Sequence, residues 1–437
     1  VIKEKLAFIC CCDIAGQVRG KGFPVADIES KMTRGIGWCP TNTQLTTFDA
    51  IAETPYGALG DLLLIPDQRT EVKVDFGDGS AQERFLLGNI THTDGRPWVC
   101  CLRTMLTNAL AALTAETGLT LISAFEQEFH FVDDEMATGS AYSLPGFRAA
   151  QEFGETLISA LRTAGLTPES FLREYGKDQY EVTVTPRSGV ASADQAVIVR
   201  ELARGTAFRM GKRISFTPLR SPGGVGNGVH VHMSFRDGDG TPVTYDPDGP
   251  GGLSPLAGSF VAGILKYLPS FVALTAPSVV SYERLMPHRW SAPFNNLGYR
   301  DREAAVRIAP VVELPDEVTA AQYNIEFRAG DAAASPHLLL AAIVLAGTEG
   351  IRGKLPTPTP TEEDLTLRDP GDLAKDGIER LPTTLEEALA RFEQDDAVRS
   401  WFDPEFVDVY LKHKRGEIAF LKDVSEDQIC ARYERVY

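Results

Sequence analysis

No segment of the chain is apolar over the roughly 18–20 residues that a membrane-crossing helix requires. The opening residues also lack the blocks of a secretory signal. Basic charge is short: 43 Lys and Arg stand against 60 Asp and Glu, a formal net charge of −17. Nucleic acid and anionic membranes bind through an excess of cations, so neither is expected as a main partner. A local basic pocket remains open. No C-x-x-C spacing occurs. The seven cysteines form an odd set that includes the run Cys10-Cys11-Cys12 and the neighbours Cys100-Cys101. Adjacent cysteines rarely pair, so reduced core thiols in a cytoplasmic protein are expected, not a disulfide framework or a zinc site. Internal repeats and low-complexity tracts are absent as well.

What is present is ordinary globular composition, 43% hydrophobic and 24% charged over 437 residues, enough for two or more domains. The turn Asp94-Gly95-Arg96-Pro97 is the best boundary. Residues 1–95 read as a small sheet-rich domain with one helix, and residues 96–437 as a larger unit. Its helices are predicted over 102–117, where Leu102, Leu106, Leu110 and Leu113 keep helical spacing and Gly118 is the stop, and over 147–164, 194–211, 259–267 and 335–350. Residues 354–382 read as a surface excursion, and the chain is helical again from Thr384. The segment Gly16-Gln17-Val18-Arg19-Gly20-Lys21-Gly22 is glycine-spaced and basic, but lacks the Lys-Ser/Thr ending of a phosphate loop.

The chemistry gathers on strands. Residues 125–131 read as one strand with Glu126, Glu128 and His130 on one face, and Phe125, Phe129 and Phe131 with Gln127 on the other. Two carboxylates on a Phe-rich strand are costly to desolvate unless a cation lies between them. Polar, ionisable faces recur at 181–185, at His230, His232 and Ser234, and at Asn324, Glu326 and Arg328. Several such strands in one sheet describe a lined cavity. Its inventory is rich in oxygen, with Glu126, Glu128, Glu174, Glu181 and Glu326 beside one or two histidines. That set suits Mg²⁺ or Mn²⁺ better than Zn²⁺, and two divalent ions would nearly neutralise it. Residues 281–308 add five arginines among aromatics, which suggests a phosphorylated partner.

At these residues the chain resembles the glutamine synthetase family. The carriers are Glu126-Gln127-Glu128-Phe129, the run from Gly226 through His230 and His232 to Ser234, the segment Ser281 to Pro287, the block Arg300 to Ile308, and Asn324 to Arg328 with Asp331 to Pro336. They occur in the family's order along nearly the whole chain. The resemblance implies an α+β fold, with a small N-terminal β-grasp domain and a large catalytic domain whose curved antiparallel sheet lines a metal-binding funnel. It implies two or three Mg²⁺ or Mn²⁺ ions per site, with Glu128, Glu174 and Glu181 on one and Glu126, His230 and Glu326 on another. It further implies that Arg284 and Arg328 clamp glutamate with the backbone of Gly226, that Arg302 and Arg307 face the ATP phosphates, and that His232 and Ser234 lie near the nucleotide. Arg302, Arg328 and Trp290 would stand at the reacting groups. The family assembly is a dodecamer of two hexameric rings with shared active sites.

The chain departs from the family at the amine. Ammonium-using members carry a carboxylate after the arginine block, and here His288-Arg289-Trp290-Ser291-Ala292-Pro293 has Trp290 in its place. The small-domain acid that attracts ammonium is also missing from Gly37-Trp38-Cys39-Pro40-Thr41-Asn42. Trp290 offers an apolar wall and a cation–π face instead, and with Trp38 it suggests a small apolar or aromatic substituent. The resemblance is therefore closest to the branch that joins glutamate to organic amines, making γ-glutamylamides. A glutamine synthetase using ammonium, a non-catalytic ring-forming homologue and a two-metal hydrolase remain as alternatives. Ala321 and Asn324 replace a family lysine and arginine, which alters the nucleotide contacts, and His130 is read as structural.

Overall fold

The computed structural model describes residues 2–132, 139–312 and 315–437. Strand β1 (Leu6–Cys12) forms an antiparallel hairpin with β2 (Val18–Pro24). The glycine-spaced segment serves this hairpin: a Cβ on Gly20 would collide with the Ile9 carbonyl oxygen. Helix α1 (Ile28–Arg34), β3 (Ile36–Trp38), β4 (Leu62–Pro66), β5 (Val72–Val74) and β6 (Glu83–His92) complete the unit. The sheet order is β2-β1-β6-β4-β3, with β5 also on β6 and with β1 parallel to β6. Helix α1 packs on β4, which gives the β-grasp arrangement.

Helix α2 (Leu102–Thr117) ends at Gly118, whose φ of 72° makes it the stop its position predicts. There follow β7 (Thr120–Phe125), β8 (Gln127–Phe131), α3 (Leu144–Ala149), α4 (Gln151–Thr163), β9 (Pro168–Arg173), β10 (Gln179–Val184), β11 (Arg187–Ser188) and α5 (Ala191–Arg209). The chain continues through β12 (Ile214–Ser215), β13 (Val231–Arg236), α6 (Pro255–Thr275), α7 (Ser281–Arg284), β14 (Phe294–Tyr299), β15 (Ala304–Ile308), α8 (Asp316–Gln322), β16 (Ile325–Phe327) and α9 (Pro336–Arg352). Helices Leu385–Gln394, Pro404–Leu421 and Glu426–Val436 close it. The strands of this larger part make a four-stranded sheet, β12-β8-β10-β9, and a six-stranded sheet, β11-β7-β13-β16-β15-β14. The architecture is α+β, as expected.

Five expectations are corrected. The strand 125–131 is two strands in two sheets, because the chain leaves one ladder at Phe125 and enters the other at Gln127. The lined cavity is therefore built by two sheets, and the parallel pairing of β14 with β15 makes the larger one mixed. The helix predicted over 147–164 breaks at Ala150, whose φ/ψ of −118°/16° are not helical. The excursion 354–382 is packed down: Leu365, Leu373 and Ile378 bury against Phe294, and Thr361 hydrogen-bonds β14. Contrary to the expectation that no stretch reaches that length, helix α6 is long and apolar enough to cross a bilayer by length and composition, yet 67% of its most apolar window is buried inside the protein. It packs on α9 as a core helix.

Candidate active site

The site begins at the seam between the two sheets. Glu126 occupies it, and its N–H donates to the His230 carbonyl at 3.0 Å. On the four-stranded side Glu128 of β8 stands directly opposite Glu181 of β10. On the six-stranded side His232 of β13 and Arg307 of β15 flank Glu326 of β16. Like charges as cross-strand partners are destabilising, so the Glu128–Glu181 pair marks a place where a cation belongs.

Glu126 lies between two imidazoles. Its Oε2 is 3.0 Å from His230 Nδ1, and its Oε1 is 3.0 Å from His232 Nε2. His230 Nδ1 is also 3.5 Å from Glu326 Oε1. Among the described residues one set places its ligand atoms within 4.8 Å of one another: Glu126, His232 and Glu326. The structure thus brings His232, which the resemblance sets near the nucleotide, to the same cluster as His230. Its Nδ1 donates to Asn324 Oδ1 at 2.7 Å, which orients the ring. The other expected set is more open. Glu128 Oε2 accepts from the Gly228 N–H at 2.7 Å, and Glu174 Oε2 accepts from the Tyr142 hydroxyl at 2.7 Å.

Charge in this hole is strongly coupled. Burial, then repulsion from Glu126, Glu128, Glu174 and Glu326, pushes the Glu181 carboxyl up to about 10. Burial also raises Glu128. Against burial, hydrogen bonds from His230 and His232 hold Glu126 well below the usual carboxylate range, and Arg328 with the two imidazoles holds Glu326 below it. Against its own burial, His232 is raised to about 9 by Glu126. Five carboxylates that cannot all ionise together, with imidazole and no thiolate, have the donor chemistry of hard divalent cations. The residues fit Mg²⁺ or Mn²⁺.

Four arginines surround the carboxylates, three buried and one exposed. Arg284 is buried, and its guanidinium donates to the Gly330 carbonyl at 2.7 Å. A Cβ on Gly226 would stand 2.5 Å from the Arg284 Cγ, so the glycine lets this side chain lie across the loop. Arg328 donates to Glu326, to the Arg302 carbonyl and to the Trp290 carbonyl. Buried Arg307 reaches Glu326 Oε2 at 3.1 Å. Arg302 instead lies exposed at the mouth, beside Tyr142 and Trp290. Ser234 follows His232 on the same face of β13, half-buried. His130 turns away to Glu434 and Asn227, at 3.2 and 3.0 Å, and is structural.

The loop bearing Trp290 is held from outside. His288 and Trp290 have φ of 60° and 53°, a region costly for residues with side chains. The Glu303 carboxylate accepts both of their N–H groups, at 3.0 and 2.9 Å. Trp290 stays 65% exposed at the mouth. Trp38 does not join it. Only 6% exposed, it packs in the core of the small sheet and cannot wall a site elsewhere. Tyr142 and Glu303 were not picked out from the sequence, because loop contacts leave no periodic signal; only the position of Glu303 inside the arginine block marked it.

Residues 99–433 match the family model described as Glutamine synthetase, catalytic domain, and residues 3–98 match Glutamine synthetase N-terminal domain. The chain is 34% identical to a gamma-glutamylpolyamine synthetase of Streptomyces coelicolor, over 97% of this chain and 92% of that protein. It is 27% identical to a glutamate–methylamine ligase of Methyloversatilis universalis, over 97% and 94%. A solved structure titled as a novel glutamine synthase homolog superposes with a TM-score of 0.91 at 42% identity, covering 100% of this chain and 99% of that one.

Proposed function

The chain belongs to the glutamine synthetase family, and from that premise we propose that it is an ATP-dependent ligase joining the side-chain carboxylate of glutamate to an organic amine. The products are a γ-glutamylamide, ADP and phosphate. Arg284 and Arg328 hold glutamate beside Gly226, and Arg302 and Arg307 face the triphosphate. Glu128, Glu174 and Glu181 hold one divalent ion, while Glu126, His230 and Glu326, joined by His232, hold another. Bound Mg²⁺ or Mn²⁺ would neutralise charge on the transferring phosphoryl group. Phosphorylation turns the glutamate carboxylate into an acyl phosphate. The amine nitrogen attacks its carbonyl carbon, the C–N bond forms, the C–O bond to phosphate breaks, and the nitrogen loses a proton. Buried arginines beside that carbon stabilise the developing oxyanion. Residues 1–95 are the smaller unit and 96–437 the catalytic one, and ring assembly with shared sites follows the family.

The observation that carries the amine over ammonium is the loop 288–293. It holds no carboxylate, and it presents Trp290 at the mouth beside Glu174 and Arg302. A cation as small as ammonium needs an anion to select it, whereas an apolar wall rewards a substituent. The two named relatives, a polyamine synthetase and a methylamine ligase, support the same direction. The test is phosphate release from ATP and glutamate with Mg²⁺, comparing alkyl and aryl amines with ammonium. Faster turnover with an organic amine is expected; equal or faster turnover with ammonium returns the protein to glutamine synthesis.

A further inference from the structure

Building on the ligase reading, we propose that the amine substrate is a monoamine with a bulky apolar or arylalkyl substituent, received in a hollow beside Glu174. This hollow has a volume of about 700 Å³, within the range of small-molecule sites. Tyr142, Leu144, Phe147 and Phe171 form one side, and Trp290 and Arg302 the other. Glu174, which interacts electrostatically with Glu128 and Glu181, also lines it, so a substituent lying here keeps its nitrogen near the carboxylate cluster.

The charges argue against a second ammonium. Glu174 is the one carboxylate lining the hollow among the described residues, and it already accepts the Tyr142 hydroxyl and the Tyr175 N–H. The cations present would repel a diamine: Arg302 at the mouth, and Arg173, whose guanidinium is tied to the carbonyls of Glu174, Gly176 and Gln179. A second hollow of about 550 Å³ lies beyond Trp290 and Arg302 and is richer in acids. Four of its five acids have partners, and the fifth, Glu362, is exposed. Glu303 holds the Trp290 loop, Asp301 accepts the Glu303 N–H, Asp364 caps Thr366, and Glu363 faces Arg368. Among the described residues the first hollow offers a polyamine tail no anion beyond the already partnered Glu174, whereas it offers four apolar walls and the face of Trp290.

The experiment measures initial phosphate release by the full-length protein with ATP, glutamate and Mg²⁺, using 2-phenylethylamine, 3-methylbutylamine, 1,4-diaminobutane and ammonium. The apolar monoamines should exceed both diamine and ammonium by about ten-fold or more in kcat/KM, the discrimination that apolar contacts supply. Leu144→Glu places a carboxylate on the lining at the first residue of α3, where a helix start favours it. It should shift the monoamine-to-diamine ratio toward the diamine by about ten-fold. An independent readout uses Trp290, the most exposed of the four tryptophans: 2-phenylethylamine should shield it from iodide quenching, and 1,4-diaminobutane should not. A wild type that prefers the diamine, an unmoved ratio in Leu144→Glu, or no shielding overturns the proposal while leaving a ligase. Absence of ATP turnover with every amine, ammonium included, overturns the ligase reading itself and this proposal with it.

Discussion

Glu303 offers the sharpest test of how the amine end of the site is held. His288 and Trp290 both adopt left-handed φ, at about 1–2 kcal/mol each. The Glu303 carboxylate opposes that strain with two hydrogen bonds of 3.0 and 2.9 Å. Bonds to a charged acceptor contribute about 1.5–3 kcal/mol each when shielded; this carboxylate is half-exposed, so about 1 kcal/mol apiece is the fair figure. Glu303→Ala should therefore release the loop by about 2 kcal/mol, a factor of about 30 in the population that places Trp290 at the mouth. Steady-state kinetics should show amine kcat/KM falling about 10–30-fold, with the KM values for ATP and glutamate within about two-fold of wild type. Glu303→Gln keeps one acceptor and turns an NH₂ toward a backbone donor, so it should lose about half of that free energy. Unaltered amine kinetics in Glu303→Ala would refute the reasoning. So would an equal rise in the KM for ATP, since that would mean a general collapse of the mouth.

Further outcomes follow from the carboxylate hole and the ion pairs. Mg²⁺ or Mn²⁺ at 100 times its dissociation constant should stabilise the protein by about 2.7 kcal/mol, visible as a rise in thermal midpoint that EDTA reverses. Glu181→Gln removes a repelling carboxylate that faces Glu128; its midpoint without metal should equal or exceed wild type, while the metal-dependent rise should shrink by more than half. Arg307→Ala should lower kcat by about 10²–10³-fold with amine KM little changed, because Arg307 touches Glu326 and not the amine hollow. Arg103 is buried between Asp194, at 2.9 Å, and Asp67, at 2.8 Å. Arg103→Met removes the cation the two share, leaving Asp67 to Arg69 and Asp194 to His337, and should cost about 2–3 kcal/mol in urea unfolding. Hydrogen bonds from Arg69, then Arg103, lower the Asp67 carboxyl below its usual range. Its contribution is therefore complete above about pH 4 and lost as pH falls through the lowered value, so Asp67→Asn should flatten the acid limb of stability.

How much of this was legible beforehand varied with the kind of signal. Glu126, Glu128, Glu181, His230, His232 and Glu326 could be read because carboxylates and imidazoles alternating on apolar strands have few inexpensive explanations. Helix α2 was legible to its last residue, because leucine spacing and Gly118 agree. The break of α3 from α4 was not, since the same amphipathic spacing runs through Ala150. Tyr142 and Glu303 act from loops, where no period betrays a contact. Trp38 misled because its position near a missing acid said nothing about which way its ring turns; the structure buries it in the small sheet.

The seam at Glu126 explains how one short stretch can serve both of the proposed metal-ligand sets. On an unbroken strand, side chains two residues apart point the same way, about 6.6–6.8 Å apart along one face, and both would meet the same neighbours. Here the ladder changes between Phe125 and Gln127. Glu126 is drawn by its N–H bond to His230 toward the imidazoles of His230 and His232, while Glu128 is paired with Glu181 of β10. Alternation set both carboxylates on one face, and the change of sheet separates their partners. An arrangement of two oxygen-rich sets that share a wall but not their ligands therefore needs the break itself, not only the two glutamates that flank Gln127.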